Sequence, residues 1–305
     1  MSERRKTFQK KQEPRKFNRG SFIRVHKRRH RRASLLRRLL MLALAALFLY
    51  GAVRLVLYGV QSAKIRSTNE ALSEMYEQAA SEGMPAASPA PSASAAPAPT
   101  ALPDMELLDA YQYMGDALLP KMAELHADNP DTVAWLQIPG VVSLPVVYRD
   151  NSYYLDHDFY GKKSNGGTLF LDEAHPFEED SQYLVIHGHN MYDGGMFGLL
   201  THYSSQSYAL EHPTVYFDTL YREEEYEVVG ALRLPVSVQD SNYIAFNGTR
   251  KFRNTDQLGA FLNQMQEKAL YWKEDAQLLP SDALLALSTC YNDERIVVFC
   301  RRVLP

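Results

Sequence analysis

Three regimes of hydrophobic and polar positions follow one another along the chain. Leu39 to Val60 read LLMLALAALFLYGAVRLVLYGV, an apolar run with a single charge, Arg54. Coiled as a helix it spans ~33 Å, about one bilayer core. Arg54 falls in its last third, where a long stem lets the charge reach the far interface. Beyond it, Ile65, Leu72, Met75 and Tyr76 recur loosely at helical spacing and predict a short helical stalk over 63–80. In residues 81–103, eighteen of twenty-three positions are Ala, Pro or Ser. That stretch builds no core and, being Pro-rich, extends up to ~70 Å, enough to hold the rest of the chain away from a membrane.

The folded body begins near Asp104. Leu107, Leu108, Tyr111, Met114 and Leu118 keep helical spacing and predict an amphipathic helix at its start. Eight short strand-like runs come next, separated by turn residues: 132–138, 144–148, 167–172, 182–187, 214–218, 225–234, 284–289 and 295–302. One long helix interrupts them at 254–273, with Leu258, Phe261, Leu262, Met265, Ala269 and Trp272 on one face and Asn254 with Gln257 resembling a capping box. Eight strands of this kind favour a closed or nearly closed barrel over a doubly wound sheet. The fold expectation is therefore a mainly β chain, an eight-stranded barrel with a helix at its start and another late in the chain.

Charge sharpens the division. The net charge of -3 conceals a tail, residues 1–38, with sixteen Lys/Arg against two Glu, a formal +14. The remainder carries seventeen Lys/Arg against thirty-four Asp/Glu, a formal -17. Basic residues flanking an apolar span orient it with the N-terminus inside. The expected organisation is a basic cytoplasmic tail (1–38), a transmembrane anchor (39–60), a stalk and linker (61–103) and an extracellular body (104–305). A cleaved signal peptide is the alternative, but the apolar run exceeds the usual signal core. The tail interleaves few aromatics with its charges, so a membrane surface rather than nucleic acid is its expected partner.

Only two cysteines occur, Cys290 and Cys300. Cys290 ends the run Leu284–Thr289, and Arg295 opens the next strand after Tyr291-Asn292-Asp293-Glu294. A hairpin there brings Cys290 and Arg295 together, and a cation beside a thiol favours the thiolate and can hold an oxyanion. A surface Arg paired with Asp293 or Glu294 is the plain alternative. The same hairpin carries Cys300 ~17 Å down the neighbouring strand, too far for a disulfide. A base must come from elsewhere. The run Tyr183–Met191 is a strand entering a loop that holds His187-Gly188-His189, and a His just beyond a strand end suits general acid–base work. His-x-His also suits zinc, with His157, His175, His202 or His212 as a third ligand, but no local hydrolytic-zinc motif accompanies it.

Taken together, Leu287-Ser288-Thr289-Cys290, the Arg295-Ile296-Val297-Val298 strand and the upstream Gly188-His189-Asn190-Met191 resemble the sortases, cysteine transpeptidases of Gram-positive bacterial surfaces. Asn129–Leu136, Ile138-Pro139-Gly140, Leu144–Tyr148, Asp150-Asn151 with Tyr153-Tyr154-Leu155, and Asp193–Phe197 resemble class B in particular. The resemblance covers residues 104–303. It implies Cys290 as nucleophile, His189 as catalytic histidine and Arg295 as the transition-state arginine, with Ser288 and Thr289 meeting the sorting signal. No cofactor or metal is implied. The implied partners are secreted proteins bearing a C-terminal sorting signal and an amine from a peptidoglycan precursor or a pilin. Where the family often has Tyr-Gly-His, this chain has His187-Gly188-His189. A pilin-polymerising sortase, a cell-wall cysteine peptidase and a non-catalytic extracellular binding domain are the competing expectations. Papain-like peptidases usually place Cys before His, the reverse of the order here.

Overall fold

A computed structural model describes residues 20–82, 117–174, 182–247, 252, 254–279 and 281–303. The chain separates into two units, Met1–Gly59 and Val60–Pro305. The first is the leading part of helix α1 (Gly20–Glu82), long and apolar enough by length and composition to cross a membrane. Its leucines from Leu39 to Leu57 stand exposed, as an apolar helix does when nothing of its own chain covers it.

In the second unit, β1 (Thr132–Ile138) and β2 (Val142–Val147) form an antiparallel pair, and β3 (Leu169–Leu171) joins β2 in parallel. Strand β4 (Tyr183–Gly188) lies antiparallel to β3. Then come β5 (Thr214–Thr219), β6 (Glu223–Pro235), β7 (Ala269–Trp272), β8 (Leu284–Tyr291) and β9 (Glu294–Arg302). The order β5-β1-β2-β3-β4-β8-β9-β6 returns on itself through the β5–β6 pairing, closing an eight-stranded barrel, and β7 is appended to β6. Closure leaves these eight strands without a free edge to pair with another chain. Helix α2 (Pro120–Asp128) precedes β1, α3 (Gln206–Glu211) precedes β5, and α4 (Thr255–Glu267) precedes β7.

Strand alternation divides the core. Ala134, Leu136, Val146, Leu285, Leu287 and Val298 fill the interior. Residues one step out of phase, Tyr183, Val185, Leu284, Ala286, Val297 and Phe299, pack outside it beneath α4. A third cluster joins Trp135, Val147 and Phe170 to Met122 and Leu125 of α2 and to Leu72 and Tyr76 of α1. The period-two pattern thus gives β4, β8 and β9 two buried faces over most of their length. Their ends near Cys290 emerge, as do Leu184 of β4 and Arg301 and Arg302 at the far end of β9.

Two expectations need correction. The helix expected over 254–273 stops at Glu267, and Ala269–Trp272 is a strand paired with Gly230–Leu232 of β6. Ala269 and Trp272 satisfy a helical stripe, but aromatic residues also suit a half-buried strand, and the flank of β6 offers backbone partners there. The Asn254 cap is as expected: its side chain accepts the Gln257 N–H at 3.0 Å. The segment read as a stalk is helical, yet from Val60 onward it packs on the barrel. Leu72 is 1 % exposed and Tyr76 stacks on Trp135, ring centroids 4.3 Å apart. Tyr76 also bonds Asp218, which takes Lys121 at 2.7 Å. A stripe too sparse for a free helix is thus the contact face of a docked one. Residues 107–116 of the helix expected over 107–118, and most of the linker, lie outside the described residues; residues 117 and 118 are described and are not helical.

Candidate active site

Strand β8 lies between β4, its parallel neighbour, and β9, its antiparallel one. In the β8–β9 register Cys290 is directly opposite Arg295, and Leu285 opposite Cys300. Five residue steps separate the cysteines along the ladder, and both are free. The turn between the strands is only Asn292-Asp293, and Asn292 adopts φ 54°, a left-handed conformation that Asn tolerates.

The two thiols sit in opposite settings. Cys290 is exposed and Cys300 fully buried in the barrel interior. Burial pushes the Cys300 thiol well above the usual range, so it stays protonated and unreactive.

Arg295 is half-buried. Its neighbour Glu294 is engaged by Arg233 at 2.9 Å, and that guanidinium also covers the Tyr291 ring at 4.5 Å. No ion pair to Arg295 occurs among the described residues. The plain pairing of Arg295 with Asp293 or Glu294 is therefore not what the structure contains, and the guanidinium beside the exposed thiol is left available.

His189 follows the last residue of β4. Gly188 pairs with Thr289 in the parallel β4–β8 register, so the next residues along the two strands, His189 and Cys290, come side by side. A Cβ at position 188 would lie 2.4 Å from Leu169 and 2.7 Å from Phe197, so only glycine lets β4 run close enough to its neighbours to deliver the histidine there. The His189 ring reaches Leu155, its Nε2 2.6 Å from the carbonyl oxygen. Two further ties fix this corner. Asn190 donates from Nδ2 to the Cys290 carbonyl at 2.8 Å, and the Phe197 N–H donates to the His189 carbonyl at 2.9 Å. Sequence reasoning included Asn190 and Leu155 in motifs without giving either a task, since a backbone carbonyl leaves no mark in residue identity.

Ser288 and Thr289 lie beneath the surface. Thr289 donates its hydroxyl to the Gly188 carbonyl at 2.9 Å, tying β8 to β4. Ser288 is fully buried, and its hydroxyl has no partner among the described residues. Neither offers an accessible surface to a peptide in this conformation, whereas Cys290, Arg295 and His189 reach the same end of the sheet.

The second histidine has a different setting. His187, beside Ser288 in the β4–β8 register, is bonded through Nε2 to the buried Asp172 at 2.7 Å. Burial opposes ionisation of Asp172, but the hydrogen bonds from His187 and from the Ala174 N–H outweigh it and bring its pKa down to about 2. His187 and His189 thus hold separate partners. No cluster of metal-ligating side chains occurs among the described residues.

No protein-family model matches the chain. It is 27 % identical over 185 residues to sortase B of Listeria monocytogenes, a match covering 58 % of this chain and 72 % of that protein. Its fold is similar to the crystal structure of Bacillus anthracis sortase B in complex with AAEK2, with a TM-score of 0.61, 23 % identity, and coverage of 80 % and 97 % of the two chains. It is similar likewise to a Staphylococcus aureus sortase B–substrate complex, with a TM-score of 0.60, 22 % identity and coverage of 80 % and 98 %. The closed eight-stranded barrel led by a helix is the fold of these sortase B structures. In fold and in sequence the chain resembles class B sortases. The homology supports a sortase transpeptidase, a cysteine enzyme.

Proposed function

We propose that Cys290 is the nucleophile of a transpeptidation that joins secreted proteins to an amine at the cell surface. The thiolate attacks the carbonyl of a Thr in a C-terminal sorting signal. Arg295 and nearby backbone N–H groups hold the oxyanion. The bond from that carbonyl to the next residue's nitrogen breaks, and His189 gives its proton to the leaving amine. A thioester remains on Cys290. An amine from a peptidoglycan precursor, or a pilin lysine, attacks it, returns a proton to His189 and frees the thiol. The apolar part of α1 anchors the enzyme in a membrane with the basic tail inside and the barrel outside. The observation that carries this reading is the pairing of Cys290 with Arg295 across β8–β9, with His189 at the end of the parallel strand β4.

The test is mass spectrometry of the full chain in detergent incubated with sorting-signal peptides. A peptidyl thioester should form on Cys290, and an amine should convert it to product. The thioester should vanish in Cys290→Ala and persist in Cys300→Ala. The absence of any adduct and any amine-dependent product across a broad peptide library would sink the transpeptidase reading.

A further inference from the structure

The contact between His189 and Leu155 determines more than where the ring lies. A carbonyl oxygen only accepts hydrogen bonds. At 2.6 Å from it, Nε2 must carry a proton in the neutral as well as the cationic ring. His189 has no other hydrogen-bonded partner among the described residues, so Nδ1 is its free nitrogen. We infer that the Leu155 carbonyl is the positioning group of the active site: it holds His189 as the Nε2–H tautomer and dedicates Nδ1 to proton transfer. The inference rests on the proposed role of His189. In that reaction the proton on Nδ1 goes to the departing amine nitrogen as its C–N bond breaks, leaving the neutral Nε2–H ring. The incoming amine then returns a proton to Nδ1. The proton on Nε2 stays hydrogen-bonded to the Leu155 carbonyl throughout.

The segment bearing this carbonyl is built to hold it. Leu155 ends a short 3-10 turn, Tyr153–Leu155. At its start the Asp150 carboxylate accepts the N–H groups of Ser152 at 2.8 Å and Tyr153 at 2.7 Å. At its end Gly167, at φ +60°, fits under the turn. A Cβ there would stand 2.3 Å from the Tyr154 oxygen and 2.9 Å from the Leu155 oxygen. Only glycine permits both that φ and that approach. The Thr168 N–H then closes the arrangement on the Tyr154 carbonyl at 3.0 Å. Among the described residues, His189 is the one donor to the Leu155 carbonyl, so the turn delivers an otherwise unused acceptor to the histidine.

The experiment is long-range proton–nitrogen correlation NMR on the full chain in detergent micelles with nitrogen-15-labelled histidine. His189 is assigned from the signals lost in His189→Gln. The wild type should show a proton on Nε2 alone, protected from solvent exchange. Gly167→Ala, which drives the Leu155 oxygen away, should lose that protection and reduce turnover about 100-fold, as displacement of a catalytic group does. Gly166→Ala, whose Cβ would press on the Ile65 side chain at 3.0 Å rather than on the Leu155 oxygen, should keep the protected proton. If Gly167→Ala does not fold, Asp150→Ala, which removes the acceptor of the Ser152 and Tyr153 N–H groups at a half-buried position, should still speed exchange of the Nε2 proton several-fold. A proton found on Nδ1 in the neutral wild type, or an Nε2 proton unchanged in both Gly167→Ala and Asp150→Ala, overturns the inference. Those readouts need no substrate. A normal thioester with the wrong tautomer would remove the positioning role and leave the transpeptidase reading intact. A protected Nε2 proton without any thioester would do the reverse.

Discussion

Replacing His187 by Phe should reverse the sign of one pH dependence of stability. His187 supplies the hydrogen bond that lets the buried Asp172 stay ionised. The folded pKa is about 2 against an ordinary 3.8. At 1.36 kcal/mol per unit this favours the ionised folded state by roughly 2–3 kcal/mol. A depressed carboxylate pKa stabilises above the unfolded value, so this contribution is complete above pH 3.8 and disappears as pH falls through about 2. Phe has a ring of similar size and can pack on Phe170, whose ring centroid lies 5.3 Å from that of His187. It provides no donor, however, so burial, the largest influence on Asp172, is then opposed only by the remaining bonds such as that from the Ala174 N–H, and the pKa rises above the ordinary value. The variant should be less stable than wild type at pH 7 by about 3–5 kcal/mol, the range for a buried pair broken from one side. It should recover stability as pH falls toward 4, where wild type does not. Thermal unfolding of both proteins in the same detergent between pH 7 and pH 4 measures this. A loss under about 1 kcal/mol at pH 7, or parallel pH profiles for the two proteins, would refute the reasoning.

Arg295→Ala should reduce turnover about 100-fold or more through loss of oxyanion stabilisation while leaving the melting temperature nearly unchanged, because no ion pair to Arg295 exists among the described residues. Unchanged turnover in peptide transfer would remove it from the mechanism. Tyr76→Ala should destabilise the barrel unit by about 3–5 kcal/mol, since it deletes a buried aromatic stacked on Trp135. Tyr76→Phe should cost only about 1–2 kcal/mol, because it keeps the stack and loses just the bond to Asp218. Equal melting temperatures for the two variants would show that the stack contributes nothing.

Residue pattern exposed most of the barrel and little of its fastenings. Strand β1 has the bounds its alternation predicts, because a strand with one face in each of two cores is punctuated sharply by turn residues. The opposition of Cys290 and Arg295 was legible because a short hairpin leaves few registers. Strand β7 was not. Four residues at the end of a helical stripe acquire strand geometry only from β6, which is remote in sequence. The docking of α1 was equally hidden, since Leu72 and Tyr76 look the same on a free stalk as on one lying against Trp135. At the site itself, side-chain chemistry pointed to Cys290, His189 and Arg295. The burial of Ser288 and Thr289 and the task of Leu155 depend on the closed sheet and on main-chain atoms, for which residue identity carries no signal.

The parallel pairing of β4 with β8 has a consequence for when the protein becomes reactive. His189 and Cys290 come from distant parts of the chain and meet only across that pairing. Antiparallel neighbours such as β8 and β9 can zip up locally, but a parallel pair must wait for a long loop to close. A growing or unfolded chain therefore carries a thiol with no imidazole near it. The site is assembled only by a long-range closure of the barrel, so folding itself acts as the safety catch on the proposed nucleophile.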